Sequence, residues 1–312
     1  MRVLVTGATG FVGRNLCTYI CAHYPNWEVQ HLSRNNPSAT NDWASLNAAL
    51  ISKFDAVIHL VGLAHDTIGS ADPKRYFEVN TELSKKIFDS FVSSTCTRFV
   101  FLSSVKAAAD HVDVPLTEDT APNPNTPYGE SKLEAERYIL SFSLPSEKKV
   151  FILRPCMIHG DGNRGNLNLL FKFVSSSLPY PLASFKNSRS YLSIENLCFV
   201  IAKLLQSSAP SGVYNVADDE ALSTLELVKL IGDESKNSTR VWKVPPRLVE
   251  WIARVGDILP LPLNSERLSK LTESYVVSNQ KIKTALSSTL PVACRDGLRK
   301  TIRSFCNPKA AQ

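Results

Sequence analysis

Through the first half of the chain, short apolar runs alternate with longer stretches whose apolar residues return every three or four positions. The runs at residues 2–6, 28–32, 56–61, 98–102 and 150–154 have strand length, and most are nearly unbroken in Val, Ile, Leu and Phe. Runs of that kind suit strands covered on both faces. Between them, residues 13–22, 45–51, 73–93 and 128–142 carry helical spacing. Strand and helix alternating in this way predict a parallel sheet with right-handed crossover helices on both faces.

The expected fold class is therefore α/β, a Rossmann-type doubly wound parallel sheet. After Arg154-Pro155 the pattern changes. Residues 156–190 are rich in Gly, Asn, Ser and Pro, with one helix at 167–176; residues 191–206 resume a strand-helix pattern and 212–216 read as another strand. Helices at 224–231 and 246–255 follow, with a Pro-bounded loop at 260–262. The reading is a cofactor domain of residues 1–155 plus about 190–216, and a smaller, intertwined C-terminal substrate lobe of about 156–189 and 217–312. The stretch 247–255 is amphipathic, and its apolar stripe is expected to pack on the protein's own core rather than on a membrane.

Composition narrows the class. With 312 residues, 44% hydrophobic and 21% charged, the chain is of ordinary globular make-up. The formal charge of +6 is spread along it, without a basic tail or aromatic-basic stripe, so no nucleic-acid partner is expected. No apolar run approaches the roughly 20 residues that span a bilayer, so no membrane partner is expected either. The seven cysteines show no C-x-x-C spacing, and Cys17 and Cys21 are read as core residues, not a metal pair. Together with MRVLVTG leading straight into a strand, leaving no room for a signal peptide, this predicts a reducing cytoplasmic setting and no metal.

Chemistry concentrates at strand ends. TGATGFVG places Gly7, Gly10 and Gly13 between the first strand and first helix. Gly7 permits the turn, Gly10 lets the backbone approach a pyrophosphate, and Gly13 lets the helix, opening with Phe11 and Val12, pack on the sheet. The helix N-terminus then offers free N–H groups to the phosphates. The second strand ends in Ser33-Arg34 with no acid, which favours NADP(H) over NAD, because an acid would hold a ribose 2′-hydroxyl and an arginine accommodates a 2′-phosphate. The fourth strand-helix unit begins FVFLSSVKAAAD, with Ser103, Ser104 and Lys106 at the ligand-binding end of the strand. Tyr128 and Lys132, four apart in TPYGESKLEAE, share one helix face. There an ammonium is expected to lower the tyrosine pKa.

These motifs resemble the extended short-chain dehydrogenase/reductase superfamily, in its NAD-dependent epimerase/dehydratase group, over nearly the whole chain. TGATGFVG resembles the family's cofactor loop, VIHLVG its strand motif around Leu60, and YGESK its catalytic Tyr-x-x-x-Lys. The resemblance implies that Ser104, Tyr128 and Lys132 are catalytic, and that Asn80 and Pro155 support the cofactor. It also implies that Arg189, in SRSYLSIENL, and Arg267 contact the nucleotide diphosphate, and that Asn166 touches the sugar. More narrowly, SSVK, TPYGESKLEAE, KNSRSYLSIENL and VPPRLVEWIAR are similar to bacterial nucleotide-sugar 4-epimerases and 4-ketoreductases of polysaccharide biosynthesis. That branch implies a UDP-linked N-acetylhexosamine substrate, with or without a 6-hydroxyl, and a homodimer.

Family dehydratases place Asp-Glu directly after the catalytic hydroxyl. Here those positions are Val105 and Lys106, so dehydration is not expected. Two reactions are left. One is NADPH-dependent 4-keto reduction, favoured by Ser33-Arg34, and the other is 4-epimerisation with tightly held NAD. Loss of catalysis in favour of cofactor sensing is the remote third, opposed by the intact Ser, Tyr and Lys. Lys106 is read as facing the sugar or the solvent. His59 is read as a core residue, and the roles of His65 and His159 stay open.

Overall fold

The computed structural model describes residues 1–33, 41–64, 72–163, 166–176, 179–236, 240–259 and 264–306. The strands are β1 (Arg2–Thr6), β2 (Glu28–Ser33), β3 (Asn41–Asp42), β4 (Ala56–His59), β5 (Arg98–Leu102), β6 (Lys149–Pro155), β7 (Met157–His159), β8 (Arg189–Ser193), β9 (Gly212–Val216) and β10 (Ala221–Leu222). Seven of them form a sheet in the order β3-β2-β1-β4-β5-β6-β9, parallel at every pairing. The chain winds outward from β1 to β2 and β3 on one side and from β4 to β9 on the other. The crevice between β1 and β4 is thus a switch point, where open α/β sheets hold ligands.

Strand alternation sorts the core. Val3, Val5, Ile58, Val100 and Phe151 face the helices α1 (Phe11–His23) and, after a crossing of the chain, α7 (Ile194–Leu204). Leu4, Val57, Phe99, Phe101 and Ile152 point the other way. There they meet Ile87, Phe88 and Phe91 of α4 (Leu83–Val92) and Ala135 and Ile139 of α5 (Pro127–Leu140), the short helices α2 (Ala48–Ile51) and α3 (Pro73–Tyr76) preceding these. Full burial of such side chains contributes about 1.5–3 kcal/mol each. Both faces are covered, which is why the strand runs read as nearly continuous in apolar residues.

A third apolar cluster forms the rest of the molecule. It gathers Leu167 and Val174 of α6 (Asn166–Ser175), Tyr191 of β8, and Leu227, Val228 and Ile231 of α8 (Thr224–Ser235). Val249 and Ala253 of α9 (Pro246–Ile258), Leu268 of α10 (Ser265–Thr272), and Leu298 and Ile302 of α12 (Cys294–Cys306) complete it. The helix α11 (Gln280–Leu286) lies between the last two in sequence. Here β8 pairs antiparallel with β10 and parallel with β7, making a separate three-stranded sheet.

Three details differ from the periodicity. The strand β4 ends at His59 rather than Val61, and two residues beyond Val61 the Asn80 side chain accepts from the Leu63 N–H (2.8 Å) and donates to its carbonyl (3.1 Å). The single helix expected at 73–93 is interrupted by a π-helical segment, Phe77–Glu82, that carries Asn80; such bulges gather at functional sites. Third, the apolar stripe of α9 packs only in part. Val249, Ala253 and Gly256 are buried, while Leu248, Trp251, Ile252 and Ile258 stay exposed. The periodicity identified an apolar face but not how much of it the lobe could cover.

Candidate active site

The cofactor loop is built by close contacts that only glycine allows. Gly7 leaves β1 with φ +74°, a left-handed conformation that favours glycine, and its carbonyl accepts from the Gly10 N–H at 3.0 Å. A Cβ on Gly13 would stand 2.2 Å from the Gly7 carbonyl oxygen, inside any permissible contact, so the first turn of α1 sits directly on the loop. Gly10 is the N-cap and brings no side chain to the helix start, while Phe11 and Val12, partly buried, pack against the sheet. The first-turn N–H groups are left for an external acceptor. This cradle fits a dinucleotide pyrophosphate.

Next to the loop, Leu60 donates its N–H to the Thr6 carbonyl at 3.2 Å, which keeps the end of β4 beside the end of β1. Ser33 closes β2 in register with Asp42 of β3, a two-residue strand with no counterpart in the sequence reading. Arg34 and His65 lie outside the described residues. Asn80, fully buried, also donates to the Ser131 hydroxyl at 3.0 Å, and Thr81 donates to the Ser131 carbonyl at 2.8 Å. The π-helical turn is thereby clamped to α5.

The helix α5 delivers Tyr128 and Lys132. Thr126 caps it, accepting from the Gly129 N–H at 3.3 Å, and Pro127 opens it. A Cβ on Gly129 would be 2.4 Å from the Lys106 carbonyl, so α5 touches the turn after β5 backbone to backbone. Across that contact the Ser104 hydroxyl stands close enough to the Tyr128 phenol to lower its pKa. Ser104 caps the 3-10 turn Val105–Ala107, accepting from the Lys106 N–H at 3.2 Å. Lys132 is buried, donates to the Leu102 carbonyl at 2.8 Å and lies 4.8 Å from the Phe101 ring.

The electrostatics differ from the expected depression of the Tyr128 pKa. Burial pushes the phenol up, opposed by the Ser104 hydroxyl. Burial also brings the Lys132 ammonium down to about 8, with Glu136 opposing. Desolvation outweighs charge pairing in the resting site. His59 is a core residue, as expected: it is fully buried and bridges Thr6 (2.7 Å) and Ser84 (2.9 Å). Burial, then the Lys132 charge, lowers its pKa to about 3.

Ser103 has a different partner from its neighbour. It donates to the carboxylate of Glu136, which also accepts from Arg154 at 3.0 and 3.1 Å, all three groups being buried. Pro155, just beyond Arg154, is buried in register with Val216. The Lys106 ammonium donates to the Asp110 carbonyl at 2.8 Å and lies 4.5 Å from the Tyr275 ring. Tyr275 in turn donates to the Ala109 carbonyl at 2.6 Å and bridges Arg189 at the start of β8. Arg189 is half-buried beside this tie, Arg267 is exposed on α10 with its N–H accepted by the Asn264 cap at 2.9 Å, and Asn166 opens α6. His159, whose role the motifs left open, is buried on Thr301 at 2.9 Å and lies 3.7 Å from the Asp218 carboxylate.

Sequence reasoning overlooked Gly129, Ser131, Glu136, Arg154 and Tyr275. Gly129 and Ser131 lay inside the quoted YGESK motif, where a glycine in the first turn of a helix signals close approach. Tyr275 carried no local signal.

A doubly wound sheet with a glycine cradle at its switch point, and Ser, Tyr and Lys at the adjacent strand end, defines a short-chain dehydrogenase/reductase. Within that class the chain belongs to the NAD dependent epimerase/dehydratase family, whose profile matches residues 3–217. It is 27% identical to a UDP-glucose 4-epimerase of Vibrio cholerae, over 97% of this chain and 95% of that one. It is also 27% identical to the N-acetyl-alpha-D-glucosaminyl-diphospho-ditrans,octacis-undecaprenol 4-epimerase of Escherichia coli O157:H7, over 92% of this chain and 86% of the relative. Among solved structures, RMD from Pseudomonas aeruginosa complexed with NADPH has the same fold, with a TM-score of 0.75 at 20% identity over 99% of both chains.

Proposed function

We propose that the chain reduces the 4-keto group of a UDP-linked N-acetylhexosamine, using NADPH. The observation that carries the reading is the convergence of Ser104, Tyr128 and buried Lys132 at the carboxyl end of β5, where Lys132 donates to the Leu102 carbonyl at 2.8 Å, on the same side of the sheet as the glycine cradle. Gly7, Gly10, Gly13, Asn80 and Lys132 would hold a nicotinamide dinucleotide, which would supply the hydride when bound. The Tyr128 hydroxyl gives its proton to the carbonyl oxygen at carbon 4. Ser104 holds the same oxygen in line. Raised by burial, the Tyr128 phenol keeps its proton at neutral pH, as a proton donor in reduction must. Such a positioned acid contributes about 10²–10⁴-fold.

Dehydration has no support here. Val105 and Lys106 follow the catalytic hydroxyl where a dehydratase would need carboxylates, and Lys106 donates to the Asp110 carbonyl. The relative's N-acetylglucosaminyl substrate supports the 2-acetamido sugar, and NADPH in the Pseudomonas aeruginosa structure agrees with Arg34 following Ser33. The reading includes a cytoplasmic homodimer in which the cofactor lobe is residues 1–155 with about 190–216, and the remainder holds the sugar. The Vibrio cholerae relative favours a second reading, 4-epimerisation with retained NAD.

Denaturing the purified protein and identifying the released nucleotide separates the two. Reduction predicts an empty site and consumption of NADPH with a UDP-4-keto-6-deoxy-N-acetylhexosamine. Release of tightly held NAD, together with interconversion of UDP-N-acetylglucosamine and UDP-N-acetylgalactosamine, would replace that reading with the second.

A further inference from the structure

The α9 helix turns a continuous apolar surface away from the protein. Leu248, Trp251, Ile252, Val255 and Ile258 recur at three- and four-residue spacing, which places them within a sector of about 120° on the helix surface. That sector is separate from Val249, Ala253 and Gly256, which face the lobe's core. Its members are exposed, Trp251 by 62% and Ile258 by 86%, except for half-buried Val255. Trp242, 57% exposed, precedes the helix, so two of the chain's four tryptophans lie in solvent on this short stretch. Exposed residues on this scale mark an interaction site.

Charge indicates the partner. Arg240, Lys243, Arg247 and Arg254 are exposed along the same segment, against two exposed acids, Glu250 and Asp257. Asp257 is already engaged, accepting from the Ser265 N–H at 2.9 Å and its hydroxyl at 2.6 Å. A second copy of this chain would bring the same cations to a two-fold contact, on a molecule of formal charge +6. Anionic lipid headgroups complement them. Tryptophan beside an aliphatic stripe with arginine at its border is the composition of a helix lying in a bilayer interface. No described helix is long and apolar enough to cross a membrane, so contact is confined to one surface.

We propose that α9 docks the protein on anionic bilayers, its exposed stripe entering the headgroup region and Arg240, Lys243, Arg247 and Arg254 meeting the phosphates. The proposal is independent of which sugar the active site takes.

The test is co-sedimentation of the full chain with vesicles of equimolar phosphatidylglycerol and phosphatidylcholine, alongside vesicles of phosphatidylcholine alone. Binding to the anionic vesicles is expected, with a blue shift of tryptophan emission and weakening by added salt. Leu248→Ser/Trp251→Ser should lower the partition by about tenfold or more, and Arg247→Gln/Arg254→Gln should remove the preference for anionic lipid. Circular dichroism serves to show that both variants fold. Absence of vesicle binding, equal binding to both compositions, or binding unchanged in the serine variant overturns the proposal. A dimer that dissociates in the serine variant, with no vesicle binding by the parent, would assign the face to a second copy instead.

Discussion

His59 holds its place in the core as a neutral ring. Burial and the nearby Lys132 charge bring its pKa from 6.5 to about 3. Between those values the unfolded chain binds a proton that the folded chain does not. Its contribution to stability is therefore complete above pH 6.5 and is lost as the pH falls toward about 3. Denaturant unfolding followed across that window should show stability declining with acidification, and His59→Gln should flatten the slope. Lys132 shows the opposite use of burial. With its pKa at about 8, it is still a cation at neutral pH, where the nicotinamide ribose and the Tyr128 oxygen would need its charge. The spacing of Tyr128 and Lys132 placed them on one helix face, and α5 carries both. Their pKa directions were not legible from spacing, because desolvation depends on what surrounds a residue, and that is set by distant strands.

At the scale of elements, the catalytic pair depends on how closely α5 meets the turn after β5. The Gly129 contact with the Lys106 carbonyl leaves no room for a methyl group. Gly129→Ala is expected to push Tyr128 away from Ser104 and lower kcat by about 10²-fold, since displacement of roughly an ångström has that cost. Dinucleotide affinity should change little, because the cradle belongs to α1. Steady-state kinetics beside a cofactor titration separate the two effects, and an equal loss in both would mean that the helix as a whole had been displaced. The buried Ser103–Glu136–Arg154 group fastens the same strand end from beneath. The helical and strand periods gave these elements to within a few residues. The π-helical turn at Phe77–Glu82 escaped them, because an inserted residue shifts the register without changing composition.

For the whole molecule, one tie between the large sheet and the C-terminal residues lies at Tyr275. Its hydroxyl reaches the turn after β5 across 170 positions of sequence, while its backbone pairs with the start of β8. Cofactor binding should therefore be felt globally as a rise in Tm. At a hundredfold excess over Kd the stabilisation is about 2.7 kcal/mol, or about 4 °C for a chain of this size. NADPH is expected to produce that shift and NAD a smaller one. Tyr128→Phe should keep the NADPH shift and lose turnover; loss of both would move the tyrosine from chemistry to structure.

Local periodicity and spacing sufficed for the alternation of strands and helices, the glycine loop on the first crossover, and the Tyr-x-x-x-Lys pair, because each is written within a few turns of one element. Tertiary structure alone decided the order of the seven strands, the Asn80 clamp, the approach of Lys106 to Tyr275, and the portion of α9 left uncovered. These depend on contacts between residues far apart in the chain. An apolar stripe shows that a face favours burial, but what buries it is settled only when the rest of the molecule has packed.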